Sequence, residues 1–381
     1  MVLDRAAVCE SAGKKILASA QKLKGKRVFI GADGFVDSII SVVEKRYSPT
    51  KYDAVASIDA MGKKIVAAAG KSANFEMWVK LQKLGGNGPI MADAMASAGF
   101  NVAYVGMVGY PRIHAAFEPL ARKAKAIGIT DPGFTDALEF EDGKLLMGKY
   151  GGVNDINWKN LVERVGKERL RKLVEQSSLI GMLNWTMLPY LTELWATLHK
   201  QMLRGSNHNG KREKIFFADL CDPAKRKPAD ILKALRVLSA MQKDVKVILG
   251  LNLSEAVQVA RVLGFKDRAN AEREIEEMAR DIRGSLKIGC VVIHPRGSAA
   301  AATENESTWF AGPFVQKPKL STGAGDNFNA GFCLGQLVGL SLAESLAAAT
   351  GTSGYYVRKA RPPTAKQLGQ FVGKMPLPEM D

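Results

Sequence analysis

Apolar and polar positions change their period several times along the chain, and the changes mark its elements. Residues 10–24 repeat apolar positions at helical spacing and predict an amphipathic helix. RVFIGADGFVDSIISVVEKR, residues 27–46, opens with a short apolar strand and a glycine-containing turn. Residues 53–70 are Ala-rich and helix-like, and SANFEMWVKLQK, residues 72–83, alternates as a strand with one wet face would. GGNGPIMADAMASAGFNVAYVGMVG, residues 85–109, predicts a glycine turn, a helix, and a second apolar strand at 101–108. Residues 113–126 read as helix, and ALEFEDGKLLMGKY reads as a hairpin around Asp142-Gly143.

From about residue 160 onward, helical patterns alternate with the short apolar runs SSLIGML, KIFFADL, VKVILGLN and IGCVVIH. That alternation predicts an α/β fold, a parallel sheet with helices on both faces. Strand-like pieces near 38–45, 74–82 and 137–149 fall outside it. They predict a small β-sheet lid, contributed by about 38–50, 72–84 and 128–152, over a single domain spanning 1–381. The polar stretch GSNHNGKREK, residues 205–214, is expected as a surface loop.

Composition narrows the function classes. With 381 residues, 46% hydrophobic and 24% charged, the chain has the apolar material for a large core. Its first residues, with Asp4 and Glu10, do not form a signal peptide, and LIGMLNWTMLPYLTELW is interrupted by Asn184, Pro189 and Glu193, so no membrane partner is expected. Cys9, Cys221, Cys290 and Cys333 are scattered, as are His114, His199, His208 and His294. This argues against a zinc or disulfide framework, and reduced thiols fit a cytoplasmic protein. The net charge of +16 suits a polyanion or a phosphorylated small molecule. Many of the positive charges lie among negative ones, as in KNLVERVGKERLRK, and the densest clusters, at 204–214 and 225–227, lack interleaved aromatics. Nucleic acid is therefore not expected as a partner.

The chemistry concentrates in KLSTGAGDNFNAGFCLGQLVGL, residues 319–340. Gly323, Ala324 and Gly325 leave the backbone N–H groups open to an anion, at the start of a segment with helical apolar spacing. Asp326 follows at the edge of that positive pocket. A carboxylate there can take the proton from an attacking hydroxyl while the amides hold the transferring phosphoryl group. A glycine-rich helix start would look the same, so the wider pattern has to decide. Two other nucleotide motifs fail. Gly70-Lys71-Ser72 has Ile65 where a P-loop needs its first glycine, and Gly86-Asn87-Gly88 has Met91 where a dinucleotide fingerprint needs its third.

The run, with Phe328 and Gly331-Phe332, resembles the second signature of PfkB-family carbohydrate kinases of the ribokinase-like superfamily. The resemblance implies a three-layer α/β/α sandwich with a mostly parallel central sheet and a small lid. It also implies a kinase moving the γ-phosphoryl of ATP, with Mg²⁺, to a hydroxyl of a sugar or sugar-like substrate, with Asp326 as general base. Residues 85–109 resemble the first signature, which puts Gly85, Gly86 and Asn87 on the sugar hydroxyls. GADGFVDSI resembles the strand end whose carboxylate binds substrate, with Asp37 the best match and Asp33 the second. Asn252 and Glu255 of LGLNLSEA resemble the N-x-x-E element that holds the magnesium–phosphate assembly, Glu255 reaching the metal directly or through water. An Asn cap before an acidic first turn would read the same. FFADLCDPAKR lacks the Asn usual at that strand end and leaves Asp219 as a candidate. SLAESLAAATGTSGYYVRKA resembles the helix beside the adenine pocket, implicating Thr350, Gly351 and Gly354, with Thr322 also on the nucleotide side.

The sequence departs from the family at several points. Leu320 stands where many members have an Asp that supports potassium, so a monovalent cation is not expected. Tyr110 replaces a common acidic residue, and Pro295-Arg296 interrupts a segment usually rich in Thr and Gly. GADGFVDSI, GGNGPIMADAM and IHAAFEPL also resemble ADP-dependent sugar kinases, so ADP stays open as donor. A nucleoside acceptor and a sugar-binding sensor without turnover stay open as well, as does a homodimer through the lid.

Overall fold

β1 (Arg27–Gly31) runs through the middle of the molecule, because Val28 and Ile30 face one layer of helices while Phe29 faces the other. The structure, a computed structural model, describes residues 4–206, 214–268 and 270–379. Most of the expected loop at 205–214 therefore lies outside the described residues. The other strands are β2 (Phe35–Arg46), β3 (Tyr52–Ala54), β4 (Met77–Gly85), β5 (Asn101–Gly106), β6 (Lys125–Gly128), β7 (Gly133–Phe140), β8 (Gly143–Lys149), β9 (Leu179–Met182), β10 (Ile215–Asp219), β11 (Lys246–Asn252), β12 (Cys290–His294), β13 (Ser298–Ala302) and β14 (Ser307–Ala311).

Among these residues nine strands form one sheet in the order β14-β13-β12-β11-β10-β9-β1-β5-β6. It is parallel from β12 to β6, and β13 and β14 add an antiparallel edge. The predicted runs at β9 to β12 all fall in its centre. β9 and β10 are buried at every position, which is why they read as unbroken apolar segments and not as alternating ones. Helices such as Pro228–Met241 and Ile275–Leu286 cover one face; Asn87–Ala98, Ala324–Val338 and Leu342–Lys359 cover the other. No described helix is long and apolar enough to cross a membrane.

The smaller sheet hangs on β2, which continues from β1 after only three residues. β2 pairs antiparallel with β4 and parallel with β7, so Asp37 lies between Lys83 on one side and Thr135 on the other. The expected hairpin is β7 and β8, joined around Asp142. A modest core of Ile40, Val42, Val55, Met61 and Leu138 sits beneath this sheet.

Three expectations need correction. β4 is exposed from Met77 to Gln82 on both faces, because it lies at the sheet's edge, although Trp78 still meets the Tyr52 ring and the Arg46 guanidinium. The helix expected at 113–126 is a 3₁₀ turn, Ala115–Phe117, and one α turn, Glu118–Ala121, followed by β6. The Lys/Ala-rich KAKAIG segment has helix-forming residues, but pairing with β5 overrides that weak preference. The helix expected at 53–70 shortens to Ile58–Ala67, since Tyr52–Ala54 adds a strand to β2.

Candidate active site

The site forms where the parallel strands end and the smaller sheet begins. The helix Ala324–Val338 starts after Gly323, whose φ of 88° lies in the left-handed region that side chains avoid. A carbon added there would also meet Ile90 and the Tyr356 hydroxyl at 3.1 Å. The turn is held from outside: Tyr356 Oη donates to the Thr322 carbonyl at 2.8 Å, and Asn327 Nδ2 donates to the Gly323 carbonyl at 2.9 Å. The first-turn amides are thereby fixed toward a cleft of about 580 Å³ lined by Ser321, Ala324 and Gly325.

Asp326 is 7% exposed and hydrogen-bonds with the Asn87 side chain. Burial pushes its carboxyl well above the usual carboxylate range, and the carboxylates of Asp219 and Asp33 push it further. The fold brings together two strand-end acids, Asp33 and Asp219, and one from the first turn of a helix, Asp326, across nearly 300 residues of sequence.

Asp33 and Asp37, both expected on the acceptor, occupy different places. Asp33 is fully buried and saturated: it accepts from the Asn87 amide at 2.9 Å, the Gly88 amide at 2.8 Å and Asn184 Nδ2 at 2.7 Å. Burial raises its pKa to about 6 against those three donors. It fixes the Gly86-Asn87 turn, and its oxygens are not free for a ligand. Asp37 is half-buried on the smaller sheet, with Thr135 as its side-chain partner and Lys83 beside it. A carbon on Gly85 would sit 2.5 Å from the Asp37 carboxylate, so any side chain there would displace that carboxylate. Gly85, Gly86, Asn87, Asp37 and Asp326 thus share one corner.

Asn252 and Glu255 form a capping box on the helix Leu253–Val262: Asn252 Oδ1 accepts from the Glu255 amide at 3.0 Å and Glu255 accepts from the Asn252 amide at 2.9 Å. Its other oxygen accepts from the Asp222 amide at 3.0 Å. Glu255 is only 5% exposed, and burial raises its pKa. Opposite it stands Asp219, one oxygen bonded by Asn329 Nδ2 at 2.9 Å and the other, Oδ1, sealed without a partner. Burial first, then Glu255, holds Asp219 well above the usual range. Asn184 Oδ1 and Asn329 Oδ1 are likewise buried without a donor. Non-glycine residues with left-handed backbone, Asn184, Cys221 and Asp222, flank this group, a strain typical of functional corners.

Asn252, Thr350 and Gly354 line the large cleft, with Pro313, Phe314 and Val357 as apolar walls. Thr322 does not; it is exposed, and only its carbonyl takes part. Gly351 is a correction. It points at Val372 and Met375 on the far side of its helix, so its lack of a side chain serves packing and not a flat base. Pro295 and Arg296 do line the cleft despite their departure from the family pattern. Asn184, Lys83 and His294 are not singled out by the sequence, since each stands in a segment with no motif of its own, and Tyr356 lies in the helix resembling the adenine-pocket one without being marked by it. Leu320 faces a second hollow of about 380 Å³ with Tyr356 and Lys83.

A family model described as prokaryotic ketohexokinase matches residues 6–375. A ketohexokinase of Haloferax volcanii is 29% identical over 365 residues, covering 92% of each protein. A carbohydrate kinase from Agrobacterium tumefaciens superposes with a TM-score of 0.60 at 16% identity, covering 92% of this chain and 98% of the other. Arabidopsis thaliana ribokinase complexed with ribose and ATP gives 0.60 at 13% identity, over 91% and 98%. An adenosine kinase from Sinorhizobium meliloti gives 0.62 at 19% identity, over 92% and 99%. The fold is the ribokinase-like three-layer sandwich with its small lid sheet.

Proposed function

The chain belongs to the prokaryotic ketohexokinase family, among the PfkB carbohydrate kinases, and is a phosphotransferase with an alcohol acceptor; on that premise we propose that it moves the γ-phosphoryl group of ATP onto a hydroxyl of a ketohexose. Residues 1–381 act as one kinase domain under the lid, in the cytoplasm, where the four thiols stay reduced. Its exposed lid edge, with Trp78, Val79 and Leu81 on β4, suits a homodimer.

The acceptor docks in the corner of Asp37, Gly85, Gly86 and Asn87, where Asp37 accepts hydrogen bonds from sugar hydroxyls. Asp33 holds that corner in shape. The nucleotide lies in the large cleft, its base between the apolar walls near Thr350 and Gly354 and its phosphates toward Asn252 and the helix start. Asp326 takes the proton from the attacking hydroxyl, favoured by a carboxyl already held above its usual range. The amides of Ala324 and Gly325 hold the charge of the transferring group.

The acids fit magnesium. Asp219 and Glu255 offer only oxygen donors, the Asp219 Oδ1 atom is buried with no partner, and mutual repulsion among the acids favours a cation. Among the described residues no three such side chains converge as a ready-made cage, which suits an ion that keeps several waters. Asp219 and Glu255 would hold it, Glu255 through water since both its oxygens already accept amides. Bound there, magnesium would neutralise the nucleotide phosphates.

The observation that carries this reading is the position of Asp326, between the acceptor corner and the amide-lined cleft. Purified protein should phosphorylate D-fructose with ATP and Mg²⁺, and Asp326→Asn should lower kcat by about 10³-fold or more while nucleotide still binds. Turnover with ADP in place of ATP would replace the donor assignment, and turnover on adenosine but not on fructose would replace the acceptor. Near-normal kcat in Asp326→Asn would remove the base.

A further inference from the structure

β12 ends at His294, which lies in register beside Asn252, the last residue of β11. Both therefore stand in the row of strand ends that faces the first turn of the helix Ala324–Val338. The imidazole lies against that turn. Its ring is 4.5 Å from the Phe328 ring at an interplanar angle of 34°, and its Cε1 is 3.2 Å from the position of a side-chain carbon on Gly325. Since Gly325 and Phe328 are three residues apart on a helix, one ring covers both. His294 is also part of the wall of the large cleft, beside Ala324 and Gly325.

We propose that His294 is a further catalytic residue, whose imidazole donates a hydrogen bond to the phosphate chain of the donor nucleotide next to the Ala324 and Gly325 amides. The inference rests on the kinase reading and adds a side-chain donor beside the backbone amides of the phosphate cradle. No other side chain among the described residues pairs with the ring, and neither ring nitrogen is both sealed and partnerless. One nitrogen turns to the residue's own carbonyl, which leaves the other for the cleft. Burial pushes the ring down to about 4, so the empty cleft holds a neutral imidazole. An arriving phosphate oxygen supplies the negative charge that lets the ring carry both protons, one N–H staying on its carbonyl and one going to the phosphate. A ring serving only to pack on Phe328 would have no need of nitrogen.

His294→Phe separates the two roles, because it keeps a ring on Phe328 and deletes the N–H; His294→Gln returns a donor without the ring. With D-fructose saturating and Mg²⁺ present, His294→Phe should lower kcat/KM for ATP about 10- to 100-fold, the range for a lost hydrogen bond to a charged group. His294→Gln should recover part of that loss, and the KM for fructose should not move in either variant. Should the phenylalanine variant fail to fold, His294→Met, which fills similar space without an N–H, takes its place with the same expectation. A His294→Phe or His294→Met enzyme whose kcat/KM for ATP stays within about twofold of the parent overturns the proposal, as does a glutamine variant no better than the phenylalanine one. Asp326→Asn assayed alongside keeps the two readings apart. If it is inactive while His294→Phe is unimpaired, only the histidine's role falls; if it is fully active, the base assignment falls and the kinase reading stands; if the parent itself phosphorylates no acceptor, the kinase reading falls.

Discussion

The nine-stranded sheet and the small sheet above it hold their residues in opposite ways. In the first, β9 and β10 are buried along their whole length, and the acids at its edge are locked by amides and asparagines. In the second, β4 is exposed at six consecutive positions, Leu81 shows 55% of its surface, and only a small cluster around Leu138 is sealed. The contrast separates two duties. On the proposed reading, groups that act on a phosphoryl group are held to within a fraction of an ångström, whereas a cover over the sugar would open and close and suits the more exposed part of the fold.

Truncating one fully buried side chain in each core would break the comparison most sharply. Phe217→Ala, in the main core, should destabilise the whole protein by about 3–5 kcal/mol in urea unfolding. Leu138→Ala, just as buried, should leave the global midpoint almost unchanged while speeding amide exchange in β2, β7 and β8. A global loss of similar size from Leu138→Ala would mean that the two sheets unfold as one.

Asp37→Asn tests the same division in kinetics. Because Asp37 belongs to the cover and faces the acceptor corner, its KM for ketohexose should rise about 10- to 100-fold with the KM for ATP unchanged. A rise in both would show that the corner and the cleft are not separable.

The smallest effect concerns the locked acids themselves. Asp326 has a carboxyl raised by burial, so the folded state holds its proton more tightly than the unfolded chain. Ionising it therefore weakens the fold as pH climbs above the ordinary carboxylate range. Asp326→Asn removes that burden and should be more stable than the parent by about 1–2 kcal/mol at pH 8, with the gap closing toward pH 4. A variant less stable than the parent at pH 8 would mean that the acid is not strained.

Much of the rigid region was legible in the sequence and less of the mobile one. The Gly323–Asp326 turn and the Gly85–Asn87 turn each lie within four consecutive residues, so a resemblance to family signatures can point to them where spacing alone would leave a glycine-rich helix start. β9 to β12 announce themselves because burial on both faces leaves no polar position. Asn184 and His294 could not be read that way. Each is one residue at the end of a strand, and only the parallel order of the sheet brings them beside Asp33 and Gly325. Gly351 misled for a helical reason: Thr350 and Gly354 share a face four residues apart, while one step beyond Thr350 turns by about 100° to the Val372 side. β6 misled because an edge strand is made by its neighbour more than by its own residues. Between Asp37 and Asp33 motif resemblance cannot choose, because it does not reveal that the Asp33 carboxylate is engaged by Asn87, Gly88 and Asn184.

β4 ends at Gly85, and Asn87 begins the next helix one residue later. The cover and the grip on the sugar are thus neighbouring lengths of a single rod, with Gly86 as its fulcrum. The exposed stretch near Trp78 and the Asn87 side chain that meets Asp326 therefore belong to one continuous run of backbone. Even with the corner empty, the acid is already sheltered from water and tied to that rod through Asn87.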